Sequence, residues 1–385
     1  MTIALFTDTI GDLNGVSRFL QDMAECALQE GDKLILIAST NKYCPPLENI
    51  YNFKPRFSMK MPFYSELELT FPPANKIEDF VKSIKPDLIH ISTPGPVGIL
   101  GRRLAKKHGI SMIGTYHTDF PAYIRDNTKS MFLKKATDRW MANFYTPFIH
   151  VFSRSEFYKS IMQQDIAIEA KKISIIRAGT NLQRFSDIHA GDSIWSRFGI
   201  KEDGLKALYV GRISKEKNVG FLLDVWESFR EKHPQIDVTL VMLGEGSFAK
   251  QALSMQDQNV RYLGAVIGED LSKLYANSDL FLFPSITDTL GQVVMESSAS
   301  ALPVIVSDIG GPKSLLNPQK TSGYSLKIEK ELWVEHIRLL CEDAVLRKEL
   351  GEASKEHMSA FDIKNSYEDF MGVHKEFYKN ISNAL

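Results

Sequence analysis

The stretch from Phe281 to Pro312, FLFPSITDTLGQVVMESSASALPVIVSDIGGP, decides how this chain is read. LFLFP at 280–284 and PVIVS at 303–307, apolar up to Ser307, are short runs with the pattern of strands buried on both faces. Leu290 to Ala299 between them reads as a helix. Strand, helix and strand in so few residues make a crossover unit of a parallel sheet. Thr287 or Asp288 is placed to cap the helix, leaving amides near Thr289, Leu290 and Gly291 at an end that attracts anions. Gly291 removes a side chain where a ligand would approach. Glu296 follows Asp288 by eight positions, about 12 Å along a helix axis, comparable to the span from a transferred sugar to the ribose of its nucleotide. The same spacing also suits a capping acid followed by a solvated glutamate.

The pattern extends in both directions. Upstream lie strands at LKALYVG (205–211), VTLVMLG (238–244) and VRYLG (260–264), with a helix from Gly220 to Lys232. Downstream, Trp333 to Ala353 reads as one helix. An equivalent series fills the N-terminal half: IALFTD (3–8), KLILIAS (33–39), DLIHIS (87–92), SMIGTYH (111–117), FIHVFS (148–153) and KISIIR (172–177), separated by helical stretches. Two doubly wound α/β domains follow, joined through the polar region Arg184 to Gly204. Ligands of such sheets bind at the carboxyl ends of the strands, so chemistry is sought in those loops. The last helix, Ser366 to Lys379, carries Tyr367, Phe370, Met371, Phe377 and Tyr378 on one face and must pack on something.

The bulk properties exclude several classes. The 385 residues, 44% apolar and 24% charged, are ordinary for globular domains able to bury full cores. Three cysteines without a CxxC pair argue against a disulfide framework or zinc ribbon and favour a reducing compartment. MTIALFTDTI has no basic segment before its short apolar run and reads as a first strand; a cytoplasmic chain is expected. No apolar run is long enough to span a membrane. Residues 1–185 hold 24 Lys and Arg against 18 Asp and Glu, and the remainder 22 against 29. A basic N-terminal half facing an anionic partner such as a lipid surface is one reading; ordinary solvated surface is the other.

Three further loops carry candidate chemistry. In ALYVGRISKEKNV, Arg212 and Lys217 follow a strand and can converge on a diphosphate. A departing nucleoside diphosphate needs its charge offset by a metal, fixed cations or a helix end. The chain has no Asp-x-Asp, which weakens the metal route. In TDTIGDLNGVSRFL, Gly11 and Gly15 lie between strand and helix, suited to phosphate contact or to a tight turn; neither a dinucleotide fingerprint nor a P-loop is present. In GTYHTDFP, His117 follows a strand, with Tyr116 and Asp119 near enough in sequence to fix its tautomer.

Taken in order, NGVSR (14–18), KPDLIHISTPGPVG (85–98), TYHTDFPAY (115–123), VGRISKEKN (210–218), LGEGS (243–247) and the 281–312 segment resemble the retaining GT-B glycosyltransferases of glycosyltransferase family 4. HTDFP and TDTLG are most similar to lipid-directed mannosyl-, sulfoquinovosyl- and galactosyltransferases. The resemblance implies a GT-B fold of two Rossmann-like domains: 1–190 on the acceptor side, joined by a C-terminal helix (362–385) that crosses back, and 191–361 for the nucleotide-sugar donor. It implies hexosyl transfer from a UDP- or GDP-sugar to an acceptor hydroxyl, of a glycolipid by the motif forms, with retention and without metal or other cofactor.

Arg212 and Lys217 match the family's diphosphate pair. Asp288 and Glu296 match its E-x7-E motif, the first acid by the sugar hydroxyls and the second on the ribose. Gly15 matches the glycine loop near the phosphates, and His117 a residue near the transferred sugar. Thr289, Leu290 and Gly291 match the helix end facing the donor, and Ala265 and Val266 the wall beside the base. Tyr116, Asp119 and Tyr123 fall on the acceptor side. Asp288 stands where the family usually has Glu, Ala301 where it has Gly, and Arg177 to Asn181 is an unusual form of its segment. Two basic clusters in the N-terminal half, Arg102, Arg103, Lys106 and Lys107, then Lys129, Lys134, Lys135 and Arg139 beside Met131, Phe132 and Trp140, suit an anionic membrane surface; no nucleic-acid partner is expected. A nucleotide-sugar epimerase on the same fold and a non-catalytic sugar-binding protein are the competing readings.

Overall fold

In the computed structural model the described residues are 1–12, 14–61, 64–117, 119–288 and 290–383; at 60, 61, 64–67, 122, 123, 126 and 127 the backbone alone is described. The chain forms two compact units. The first comprises residues 1–12, 16–178 and 364–385, the second 13–15 and 179–363.

The first unit is built on seven parallel strands: β1 (Thr2–Thr7), β2 (Lys33–Ala38), β3 (Ile50–Asn52), β6 (Leu88–Ile91), β7 (Ser111–Tyr116), β8 (His150–Ser153) and β9 (Ile173–Ile175), ordered β3-β2-β1-β6-β7-β8-β9. Between β3 and β6 an antiparallel pair, β4 (Phe57–Met61) and β5 (Tyr64–Phe71), stands apart from the sheet. Helices α1 (Gly15–Glu30), α2 (Ala74–Ile84), α3 (Pro96–His108), α4 (Phe120–Thr128), α5 (Met131–Tyr145) and α6 (Glu156–Gln164) complete the unit. The central strands are buried along nearly their whole length, as near-continuous apolar runs require when helices cover both faces of a sheet. Local signals set the helix ends: Pro96 opens α3, Gly109 closes it in the left-handed conformation, and α2 stops at left-handed Lys85 before Pro86.

The second unit has six parallel strands: β10 (Leu205–Val210), β11 (Val238–Leu243), β12 (Val260–Gly264), β13 (Leu280–Phe283), β14 (Val304–Ser307) and β15 (Gly323–Leu326), ordered β12-β11-β10-β13-β14-β15. Its helices are α7 (Val219–Lys232), α8 (Ala249–Ser254), α9 (Gly268–Ala276), α10 (Gln292–Ala299), α11 (Lys330–Glu342) and α12 (Ala344–Met358). The strand order reverses between β10 and β13. Loops leaving adjacent strands there diverge and open a crevice at the carboxyl edge.

The last helix, α13 (Ile363–Ser382), joins the first unit. Tyr367, Phe370 and Met371 are buried, and Tyr367 Oη donates to Asp32 Oδ2 at 2.8 Å. His374 is fully buried on the same face. Its ring Nδ1 lies 2.6 Å from the Phe370 carbonyl and so carries the proton. Its Nε2 therefore accepts from His90 Nδ1 at 3.0 Å, which leaves His90 Nε2 to accept from Thr115 Oγ1 at 3.0 Å. A chain of polar groups thus runs from α13 into β6 and β7.

The architecture is the expected one, with local differences. The expected single helix from Trp333 to Ala353 breaks at Asp343, whose carboxylate accepts from Leu346 N at 2.9 Å and caps α12; an N-cap bond outweighs continuation of the helical pattern. Strands β3, β4, β5 and β15 lack the long apolar runs of the central strands. They lie at sheet edges or outside the main sheets, where burial on two faces is not required.

Candidate active site

The second unit gathers most of the candidate residues around its strand reversal. After β10, the GRISKEKN loop lies directly against the LGEGS loop after β11. Gly211 N donates to Leu243 O at 3.0 Å, and Ile213 N to Glu245 O at 2.8 Å. The approach is possible only without side chains: a Cβ on Gly244 would lie 1.9 Å from Gly211 O, and one on Gly246 2.3 Å from Ile213 O, both at positive φ. Buried Tyr209 ties the loop from below, its Oη donating to Arg212 O at 2.8 Å. Burial, then the nearby Asp288 and Glu216 charges, push the Tyr209 phenol far above its ordinary pKa, so it stays a neutral donor.

Two cations of this loop meet two carboxylates. Arg212 Nη1 lies 3.0 Å from Glu216 Oε1, and Lys217 Nζ lies 2.7 Å from Asp288 Oδ1. Lys217 and Asp288 are 13% and 19% exposed, so the pair is partly withdrawn from water while Asp288 Oδ2 has no hydrogen-bond partner among the described residues. The loops after β10 and β13 are stapled elsewhere too: Thr287 Oγ1 donates to Glu216 O at 2.9 Å, and left-handed Asn218 donates from Nδ2 to Pro284 O at 3.4 Å. Glu216 was not singled out in the sequence; its spacing of four from Arg212 is the signal that identifies the pair.

The helix after this loop differs from the expected one. α10 starts at Gln292, not Leu290, and Gly291 at φ 90° is its N-cap, with no side-chain cap. Neither Thr287 nor Asp288 caps it, because Thr287 is bound to Glu216 O and Asp288 to Lys217. The estimate of about 12 Å along one axis therefore does not apply, since only Glu296 lies on the helix. Nor is Glu296 a solvated residue: it is 3% exposed and accepts from Tyr275 Oη at 3.0 Å. Leu290 and Gly291 stand at the positive end of α10, whose first amides have no intrahelical acceptor. Thr289 lies outside the described residues. Gly15 groups with this unit, and a Cβ on it would lie 3.2 Å from Gln292 Cβ. Val266, half-buried, follows β12, two strands from β10 on the same carboxyl edge.

The first unit holds the other candidates. His117 follows β7, is 8% exposed, and packs edge-on to Phe19 with centroids 5.7 Å apart. Burial, then the Arg154 charge, hold its pKa well below the ordinary histidine range, so the ring is neutral. The expectation that Tyr116 and Asp119 fix its tautomer is corrected: Tyr116 Oη donates to Asp119 Oδ1 at 3.3 Å, and His117 Nε2 has no partner among the described residues. Tyr123 lies on α4, with its side chain outside the described atoms. Asp8, not singled out in the sequence, follows β1 and accepts from Val97 N at 2.7 Å, Gly98 N at 3.3 Å and Thr93 Oγ1 at 2.7 Å, binding the start of α3 to the end of β1.

Comparison with known proteins fits this geometry. Residues 13–184 match the family model described as Glycosyltransferase Family 4, and residues 193–357 that described as Glycosyl transferases group 1. The chain is a glycosyltransferase whose two parts match these two models. The sulfoquinovosyl transferase of Arabidopsis thaliana is 26% identical to this glycosyltransferase over 94% of the chain and 70% of the relative. The alpha-monoglucosyldiacylglycerol synthase of Streptococcus pneumoniae is 25% identical over 79% and 70% respectively. Among solved structures, the sucrose-phosphate synthase of Thermosynechococcus elongatus superposes with a TM-score of 0.78 at 16% identity, covering 99% of this chain and all of that one. An Anabaena protein solved with UDP and glucose gives 0.75 at 17%, covering 97% and 99%. These structural likenesses establish the GT-B fold.

Among the described residues no helix of this glycosyltransferase is long and apolar enough to cross a membrane. The basic clusters are partly spent within the fold. Lys134 Nζ lies 2.9 Å from both Asp138 and Asp165, Arg102 donates to Asn143 O, and Lys107 pairs with Glu78. Lys129, Lys135 and Arg139 remain exposed near exposed Met131, Phe132 and Trp140.

Proposed function

We propose that this glycosyltransferase moves a hexosyl group from a UDP- or GDP-sugar to a hydroxyl of a membrane glycolipid acceptor, with retention of anomeric configuration and without a metal. The observation that carries the reading is the Lys217–Asp288 contact of 2.7 Å at the β10/β13 strand reversal, just ahead of the α10 N-terminus. It sets a cation for a phosphate beside a carboxylate for sugar hydroxyls, next to a helix end that favours negative charge.

The roles follow from this chemistry and from the family resemblance. Arg212 and Lys217 offset the charge growing on the departing diphosphate. Asp288 orients sugar hydroxyls through Oδ2, which has no partner among the described residues, and Glu296 accepts from the ribose while Tyr275 holds it. Gly15, Leu290 and Gly291 border the phosphates, and Val266 the base. Neutral His117 hydrogen-bonds the transferred sugar. The acceptor hydroxyl attacks carbon 1 on the face that the diphosphate leaves, and its proton passes to a leaving-group oxygen, so the sugar–phosphate bond breaks as the new glycosidic bond forms. The names of the sulfoquinovosyl and monoglucosyldiacylglycerol relatives support a lipid acceptor, and the exposed aromatic and basic residues of α5 support peripheral contact with an anionic leaflet.

A thermal-shift panel of UDP, GDP and their sugars, followed by turnover of the stabilising donor with diacylglycerol-containing vesicles, tests the reading. One nucleotide class should stabilise the protein, and product NMR should show the donor's anomeric configuration. No stabilisation by any nucleotide sinks the donor assignment, and an inverted product sinks the mechanism.

A further inference from the structure

The first unit contains a buried cation that no described residue neutralises. Arg154 directly follows β8, as His117 directly follows β7, and the two strands pair in parallel with Tyr116 opposite Ser153. His117 and Arg154 are therefore side by side, one step beyond the last paired residues, at the carboxyl edge where such sheets receive ligands. Each is only 8% exposed. Arg154 lies over the Phe19 ring, 4.1 Å from the guanidinium carbon to the centroid, and His117 meets the same ring edge-on. Among the described residues Arg154 Nη1 and His117 Nε2 have no hydrogen-bond partner, and no carboxylate pairs with Arg154.

The burial alone pulls the Arg154 pKa down to about 10, so the group keeps its proton at neutral pH. An ionised group withdrawn from water without a counter-charge is costly, and an aromatic face offsets only part of that cost. The setting adds to the deficit: Arg154 immediately precedes Ser155, the N-cap of α6, and that helix end repels a cation. All three features are answered by one kind of group, a planar or tetrahedral oxyanion that takes paired N–H donors from the guanidinium.

We propose that Arg154, with the neutral His117 ring beside it, forms a recognition site for an oxyanion (phosphate, sulfonate or carboxylate) carried by one of the substrates. The site deepens the glycosyl-transfer reading and depends on it only for which substrate bears the charge. Arg154 supplies the charge and the paired donors, and His117 supplies one neutral hydrogen bond.

The ring signals of His117 in NMR spectra read the site directly. Sulfate and inorganic phosphate are titrated against chloride at matched ionic strength. The His117 signals should move with both oxyanions and not with chloride, and Arg154→Gln should weaken that response at least about tenfold, or about 1.4 kcal/mol. Arg154→Met should match or exceed the wild-type Tm, because it removes a buried charge that no described residue offsets. His117 signals insensitive to both oxyanions, or an equal response in Arg154→Gln and wild type, overturn the proposal. So does a lower Tm in Arg154→Met, the mark of a purely structural arginine. If the variants do not fold, the wild-type comparison of sulfate with chloride decides alone.

Two further arms locate the charge: UDP-glucuronate against UDP-glucose for the donor, and phosphatidylglycerol against phosphatidylcholine vesicles for the acceptor. The source is the arm in which wild type prefers the anionic member and Arg154→Gln does not; a preference in neither arm overturns the substrate assignment. Oxyanion binding at His117 in a protein that turns over no donor leaves this site standing and removes the glycosyl-transfer reading instead.

Discussion

Acidification should loosen the C-terminal helix from the first unit, and the size of the effect can be worked from His374. Its ring is fully buried against Phe370, Phe152 and His90, and burial pushes its pKa down to about 4 from an ordinary 6.5. The unfolded chain takes up this proton near pH 6.5, the folded one only near pH 4. Between those values the unfolded state binds more protons, so stability falls as the pH is lowered through that window. The difference of about 2.5 pH units corresponds to about 3 kcal/mol, a large part of the 5–15 kcal/mol typical of a domain. His90, which donates to His374, is also depressed by burial, and His150 nearby is held at about 4, so both act in the same direction. The remaining polar neighbour, Thr115, does not titrate here. Urea unfolding across pH 7 to pH 4, with hydrogen exchange of α13 amides as the local probe, should show wild type losing stability faster than His374→Leu by about 3 kcal/mol over the window. His374→Leu itself starts lower, because His90 loses its acceptor, but its curve should be flatter. Parallel curves for the two proteins would refute the buried, neutral histidine chain.

Other consequences are equally direct. Lys217→Ala should weaken nucleotide-sugar affinity by about tenfold or more, measured by calorimetry, because it removes the phosphate cation and strands Asp288; unchanged affinity removes Lys217 from the site. Asp288→Asn should lower turnover more than affinity, since it keeps the shape while losing the charge that orients the sugar; equal losses in both point to a merely structural pair. Gly244→Ala should lower stability by more than about 2 kcal/mol in thermal unfolding, as its Cβ would sit 1.9 Å from Gly211 O; a wild-type Tm contradicts the loop packing. Phe132→Ser with Trp140→Ser should reduce co-sedimentation with anionic vesicles while leaving nucleotide binding intact, and undiminished sedimentation excludes α5 as the docking face.

Much of this protein is legible in its sequence because parallel sheets covered on both faces leave a strong mark. LFLFP is apolar on both sides of its strand, and VTLVMLG and DLIHIS are largely so apart from Thr239 and His90; a strand like that has one stable setting. The motifs at strand ends were therefore located correctly without knowing what they touch. Arg212, Lys217 and Asp288 stand out by residue type and position in strand-end loops, and the structure brings Lys217 against Asp288.

Contacts set by geometry were not legible. Asp288 reads as a helix cap because it precedes a helix, yet a lysine seventy-one positions upstream competes for it and wins, since an ion pair away from water outweighs a cap bond. Tyr116 and Asp119 look like partners for His117 but bond each other. Glu296 reads as solvated until Tyr275, twenty-one positions away, is seen to close over it. The sequence by itself determined the two sheets, the strand-end loops and the charges they carry, because hydrophobic periodicity and local turn chemistry act over a few residues. Only the tertiary structure decided which charge meets which, and that Arg154 meets none among the described residues, because burial and pairing depend on distances that chain order does not encode.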